Sequence, residues 1–147
     1  FFFGWFWFIY NLRPGIWEEV TFRGIILNHQ LRKSSQTTSI ILNGVFFGLF
    51  HLGNLLYGVD LYNTIMQVIY ASCIGITLAY IYVKTKSLLP CILGHYFFNT
   101  LGQIFFMGNF PNIINNSIYI IFGLGIFPMI IAVLITHLIF RRSSLET

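Results

Sequence analysis

Apolar runs of about twenty residues, several of them closed by basic pairs, leave this chain very few folds. Three of the runs end at Arg32-Lys33, at Lys84-Thr85-Lys86 and at Arg141-Arg142. A helix needs roughly 20 apolar residues to cross a bilayer. In lipid a lone segment must be helical, because only then does its backbone satisfy its own hydrogen bonds. The reading is all-α: a polytopic transmembrane helix bundle. Composition supports it, since 8% of residues are charged where a soluble domain carries about 25%.

Breakers between the runs predict about six membrane segments: residues 1–12, 15–33, 38–57, 60–83, 88–108 and 116–140. The first is expected to turn back at Arg13-Pro14-Gly15, and a Gly108-Asn109-Phe110-Pro111-Asn112 loop precedes the last. This organises the chain as an N-terminal membrane segment (1–13), a core (14–107), a loop with a C-terminal transmembrane helix (108–142) and a polar tail (143–147). The first residue is a phenylalanine inside an apolar run, which predicts a truncated N-terminus with further helices before it. Threading the segments up and down puts Arg32, Lys33, Lys84, Lys86, Arg141 and Arg142 on one side and Arg13 on the other. By the positive-inside rule the basic turns face the cytoplasm, and residue 1 is expected there too. The few cations at segment ends form no nucleic-acid surface.

Against this background Glu18 and Glu19 stand out, as two of the four acidic residues in the chain. An ionisable group at bilayer depth costs roughly 2.5–3.5 kcal/mol and marks a candidate functional site. At 1.5 Å of rise per residue, Glu19 lies about 21 Å from Lys33 and His51 about 20 Å from Thr38. On the same scale His95 and Asn99 lie about 12 and 18 Å from Ser87. Three helices thus bring acid, imidazole and amide to overlapping depths, as one site between helices. Glu19 and Arg23 share a helix face at i, i+4 and can pair, while Glu18 projects about 100° away and keeps its charge. His95 and Asn99 are again i, i+4. A glutamate base, two imidazoles and an amide donor suit hydrolysis by an activated water.

Three motifs run in order through these helices: Glu18-Glu19-Val20-Thr21-Phe22-Arg23 as EExxxR, Phe47-Gly48-Leu49-Phe50-His51 as FxxxH, and His95-Tyr96-Phe97-Phe98-Asn99 as HxxxN. Together they resemble the CPBP family of intramembrane proteases, which contains type II CAAX prenyl endopeptidases and the bacterial Abi proteins linked to bacteriocin processing and self-immunity. The resemblance implies a catalytic set of Glu18, Glu19, His51, His95 and Asn99. Glu18 would activate the attacking water with help from His51, and Arg23 and Phe47 would support the site. His95 and Asn99 match positions assigned either to oxyanion stabilisation or to metal coordination, and both readings stay open. His51 and His95 with Glu18 could hold a divalent metal such as zinc, though no HExxH spacing fixes such a site. Asn54, three residues after His51, is a further supporting candidate. The implied partners are a hydrophobic or lipidated peptide and the bilayer, in a bacterial plasma membrane.

Plainer readings compete at each position. The glutamates could sit in the first turn of a helix after Pro14-Gly15, favoured by its dipole. His95 and Asn99 could be interhelical glue, and Gly44 and Gly48 suit close helix packing. His29 and His137 read as interface residues, Cys73 and Cys91 as small buried hydrophobes, and Asp60 as a helix cap. Three motifs at one depth favour an integral-membrane endopeptidase over a non-catalytic immunity or scaffold protein of the same fold. A proton-coupled carrier is the least favoured reading.

Overall fold

In the computed structural model, which describes residues 2–107 and 126–143, helix runs on through Arg13-Pro14-Gly15, where the sequence predicts a reversal. Helix α1 (Phe2–Glu19) passes into a π-helical segment (Val20–Leu27) and then α2 (Asn28–Leu31). The backbone is αR at Glu19, Leu27 and Asn28, so the three pieces form one continuous rod. After it come α3 (Gln36–Phe50), a 3-10 segment (His51–Tyr57), α4 (Leu61–Thr85), α5 (Leu89–Met107) and α6 (Phe127–Ser143). Every described element is helical.

The missing reversal has a packing cause. Gly15 faces α5, and an ideal Cβ there would lie 3.4 Å from the Ile92 carbonyl oxygen, so the absent side chain lets α1 close on α5. Three residues with one charge also offer little polar chain to solvate a turn. Proline within a membrane helix is tolerated where neighbouring helices satisfy the freed backbone groups. The first two expected segments are therefore one rod. The start of that rod, at Phe2, lies at the opposite end from Arg32-Lys33, whereas the up-and-down threading puts the two at one end. The predicted 108–112 loop, the start of the predicted 116–140 segment and residues 144–147 fall outside the described residues.

The middle of the chain follows its punctuation. Ser35 caps α3 by accepting from the Thr38 N–H at 3.2 Å, and the 3-10 segment ends at Gly58 with φ +83°. Asp60 caps α4 by accepting from the Asn63 N–H at 3.0 Å. Lys86 closes α4 in the left-handed region, its N–H bonded to the Tyr82 carbonyl. Gln36–Tyr57 and Leu61–Thr85 are each long and apolar enough to cross a membrane.

Helices α3 and α4 make the tightest crossing. A Cβ on Gly44 would overlap the Ile76 backbone, one on Gly48 would lie 2.6 Å from the Val68 carbonyl oxygen, and one on Gly75 would lie 2.8 Å from the Gly44 Cα. Small residues that admit such backbone contact are the usual device for helix association in lipid. The rod packs beside this crossing through Phe22, Phe47 and Ala71, and through Leu27, Ile40, Ala79 and Val83. A third cluster of Ile74, Leu78, Cys91 and Met129 joins α4, α5 and α6. Both cysteines are free, and the Cys91 thiol donates to the Leu78 carbonyl at 3.4 Å.

Candidate active site

The π-helical segment sets up the site. Five-residue spacing puts Phe22 and Leu27 on one buried stripe and brings Arg23 in line with Asn28. The Asn28 side-chain amide donates to the Gly24 carbonyl at 2.7 Å and to the Arg23 carbonyl at 3.3 Å, capping the widened turn. The turn thus holds Arg23 pointing into the bundle, where it is 0% exposed.

Arg23 then meets three partners. Its Nη1 donates to Glu19 Oε1 at 2.8 Å, and its Nη2 donates to the Gly75 carbonyl at 3.0 Å. The guanidinium carbon lies 4.5 Å from the centre of the Phe47 ring. The Gly75 contact depends on the glycine crossing of α3 and α4, which brings that backbone close. A buried charge is tolerable only when paired and hydrogen-bonded, and Arg23 and Glu19 meet that condition through each other.

Glu19 also reaches α5: its Oε1 lies 2.8 Å from His95 Nδ1. Glu18 approaches the other face of the same imidazole, with Oε2 at 3.8 Å from His95 Nε2. The adjacent acids therefore flank one histidine, 76 residues away in the chain. Both lie at the end of α1, in mid-rod and not in a first helical turn, so the helix-dipole reading does not apply to them. Among the described residues, Glu18 Oε2, Glu19 Oε2 and Arg23 Nε are buried without a hydrogen-bond partner.

Phe47 connects the second motif. Its ring packs edge-on against Phe22 at 5.0 Å, His95 at 5.6 Å and His51 at 5.2 Å, so both imidazoles flank one aromatic side chain. His51 opens the 3-10 segment, and its Nδ1 lies 2.9 Å from the Phe47 carbonyl. Asn99 is half-buried one turn after His95, and its side chain hydrogen-bonds to none of the described residues. Asn54 points to α4, donating to Gln67 Oε1 at 2.8 Å.

Asn43, Gly75 and Gln67 escape a motif-based reading. Asn43 is fully buried and donates to the Phe22 carbonyl at 2.9 Å, tying α3 to the rod beside Arg23. Its signal is an amide within an apolar helix, eight residues before His51. Gly75 contributes only a backbone oxygen, which no sequence pattern marks.

No group of three or more His, Cys, Asp or Glu side chains stands close enough among the described residues to hold an ion. No step below runs through a metal.

A scan against protein families matches residues 1–101, more than two thirds of the chain, to the type II CAAX prenyl endopeptidase Rce1-like proteins. Comparisons with curated proteins and with solved structures give no match. The matched stretch contains all three motifs and every side chain of the site. With the apolar helices, it places the protein among membrane peptidases. The chain belongs to the Rce1-like family of type II CAAX prenyl endopeptidases.

Proposed function

We propose that the protein is an integral-membrane endopeptidase that hydrolyses a peptide bond at or within the bilayer with a glutamate-activated water. The observation that carries this reading is the buried cluster in which Glu18 and Glu19 flank His95 while Arg23 neutralises Glu19. Glu18 is the acid not taken up by the arginine, so it is the general base. It accepts a proton as the water oxygen bonds to the scissile carbonyl carbon. The resulting oxyanion is stabilised by donors at the third motif. The proton then passes to the amide nitrogen as the C–N bond breaks and the amine leaves. His51, packed on the same Phe47 ring as His95, polarises the water or the substrate.

The substrate class follows from the surroundings. A polar cluster between apolar helices suits a hydrophobic or lipidated peptide, in CAAX-type or bacteriocin-leader-type processing. The membrane is a bacterial plasma membrane, with the basic turns on the cytoplasmic side.

The test uses purified protein in liposomes with a fluorogenic lipidated peptide. Cleavage is expected, and Glu18→Gln should lower it by about 10²- to 10⁴-fold, the range for loss of a general base. Full activity in Glu18→Gln would overturn the proposal and favour a non-catalytic immunity or scaffold role.

A further inference from the structure

The basic end of the bundle carries cations without acids. Among the described residues the carboxylates are Glu18 and Glu19, both held in the site, and Asp60, at the far end of α4. None of them stands near Lys84, in the last turn of α4, which is half-buried with its ammonium 5.8 Å from the centre of the Tyr80 ring. The Tyr80 hydroxyl lies 3.2 Å from His137 Nδ1 and joins α4 to α6. Nearer the middle of the bundle, Met129 packs with Ile74 and Leu78. Later residues of α4 thus meet later residues of α6, so the two helices run side by side in one direction. Four residues beyond the bonded pair come Lys84 on α4 and Arg141 on α6. That step is about 6 Å in each helix, so the register sets both cations at one level. Ile130 and Leu134, 52% and 55% exposed, precede His137 at i, i+4 and i+7, an apolar stripe that leads to this point from within the bilayer.

We propose that this end of the α4–α6 seam binds one anionic phospholipid, its phosphate at the level of Lys84 and Arg141 and an acyl chain along Ile130 and Leu134. Charge complementarity selects the headgroup. Two cations at one level, with no carboxylate beside them among the described residues, call for an anion from outside the chain. A zwitterionic lipid brings its own cation and leaves that charge unbalanced. Basic pockets between membrane helices are a usual seat for anionic headgroups. The apolar stripe selects a lipid over free phosphate, because only a lipid covers both the cations and the exposed side chains above them. The Tyr80–His137 contact sets the spacing of the two helices, so the pocket has a fixed width that scattered surface cations lack. Bound lipid in turn fastens the end of α6 to α4.

The test reads binding and is independent of the proposed hydrolysis. The purified full chain in detergent is titrated with dioleoylphosphatidylglycerol or with dioleoylphosphatidylcholine, and bound lipid is counted by native mass spectrometry beside the unfolding midpoint. Preferential retention of one phosphatidylglycerol, with a raised midpoint, is expected. Lys84→Gln and Arg141→Gln should each cut that preference about fivefold, the effect of one cation near a charged lipid surface. Lys33→Gln removes the same charge at the same end, in the turn between the rod and α3, and should leave the preference nearly unchanged. An equal loss in Lys33→Gln would overturn the site and leave only diffuse attraction to the leaflet. Inorganic phosphate and glycerol 3-phosphate should not raise the midpoint. A rise equal to that given by phosphatidylglycerol would overturn the lipid in favour of a free anion. No preference between the two lipids in the unmodified protein would overturn the inference outright. Each preference compares two lipids on one protein, so a variant of lower stability still decides.

Discussion

Arg23 and Glu19 are each 0% exposed and depend on each other. Removing one leaves the other as an uncompensated charge inside an apolar bundle. Breaking a buried pair in this way costs about 3–5 kcal/mol, whereas replacing both partners by apolar residues is often close to neutral. Arg23→Leu should therefore unfold at markedly lower temperature in detergent. The double variant Arg23→Leu/Glu19→Leu should recover much of that loss while remaining inactive. A thermal-shift series of wild type, both single variants and the double variant measures this coupling. Additive losses in the double variant would show that the pair is not coupled. The i, i+4 spacing makes this contact legible in the sequence, and likewise the separation of Glu18 from it. The Glu19–His95 bond is not legible, because depth bookkeeping places two residues at one level without saying that they touch.

The glycines decide how the elements fit. Gly48 lies where a Cβ would come within 2.9 Å of the Ser72 N and closer still to the Val68 carbonyl, while Gly53, five residues on, has nothing within 4 Å. The backbone of α4 cannot yield easily, so Gly48→Ala should cost about 1–3 kcal/mol by overpacking. It should also reduce activity, because the crossing delivers the Gly75 carbonyl to Arg23. Gly53→Ala should be neutral or slightly stabilising, through lower entropy of the unfolded chain. Unfolding midpoints of the two variants check both statements.

Outside the membrane spans, Asp60 offers a test by pH. The Asn63 backbone N–H, and then its side chain, hold the Asp60 carboxyl below its usual range. A depressed carboxyl stabilises the fold fully above its unfolded pKa, and that stabilisation fades as pH falls through the folded value. The gap in melting temperature between wild type and Asp60→Ala should be present at about pH 7 and shrink toward about pH 2. A gap independent of pH would assign the cap to neutral hydrogen bonding alone. The caps at Ser35 and Asp60 and the stop at Lys86 explain why α4, α5, and α3 taken with its 3-10 extension to Tyr57, begin and end within about two residues of their predicted bounds. The π-helical segment and the continuation through Pro14 were not legible. Each is imposed by a neighbouring helix, through Asn28 bonding to Tyr82 in one case and Gly15 against α5 in the other.

At the scale of the molecule, one helical rod in place of two segments changes which ends share a side. Helices α3 and α4 form a hairpin, so Ser34 and Lys86 lie at one end and Val59 at the other, whatever the rod does. The rod runs from its start to Arg32-Lys33 without reversal, which puts Arg13 toward the Val59 end of the bundle. The positive-inside pattern of the hairpin and of Arg32-Lys33 survives this change, since none of those cations depended on the lost turn. Residues on opposite sides of a bilayer differ in access to a reagent that cannot cross it. Single cysteines at Ser34, Lys86 and Val59, in a background with Cys73 and Cys91 replaced by alanine, should therefore label asymmetrically in intact cells. An impermeant maleimide is expected to modify Val59→Cys and to spare Ser34→Cys and Lys86→Cys until the cells are opened. Labelling of Ser34→Cys in intact cells would invert the orientation and put the basic turns outside. Equal labelling at all three positions would mean that the hairpin does not span. In the expected orientation His51 sits seven residues before Gly58, toward the outer end of α3, so the site lies nearer the outer leaflet than the basic turns do. A lipidated substrate arriving from the cytoplasmic face would then have to reach across much of the bilayer to meet Glu18. Reversed labelling would remove that requirement, so the same three cysteines bear on substrate access as well as on orientation.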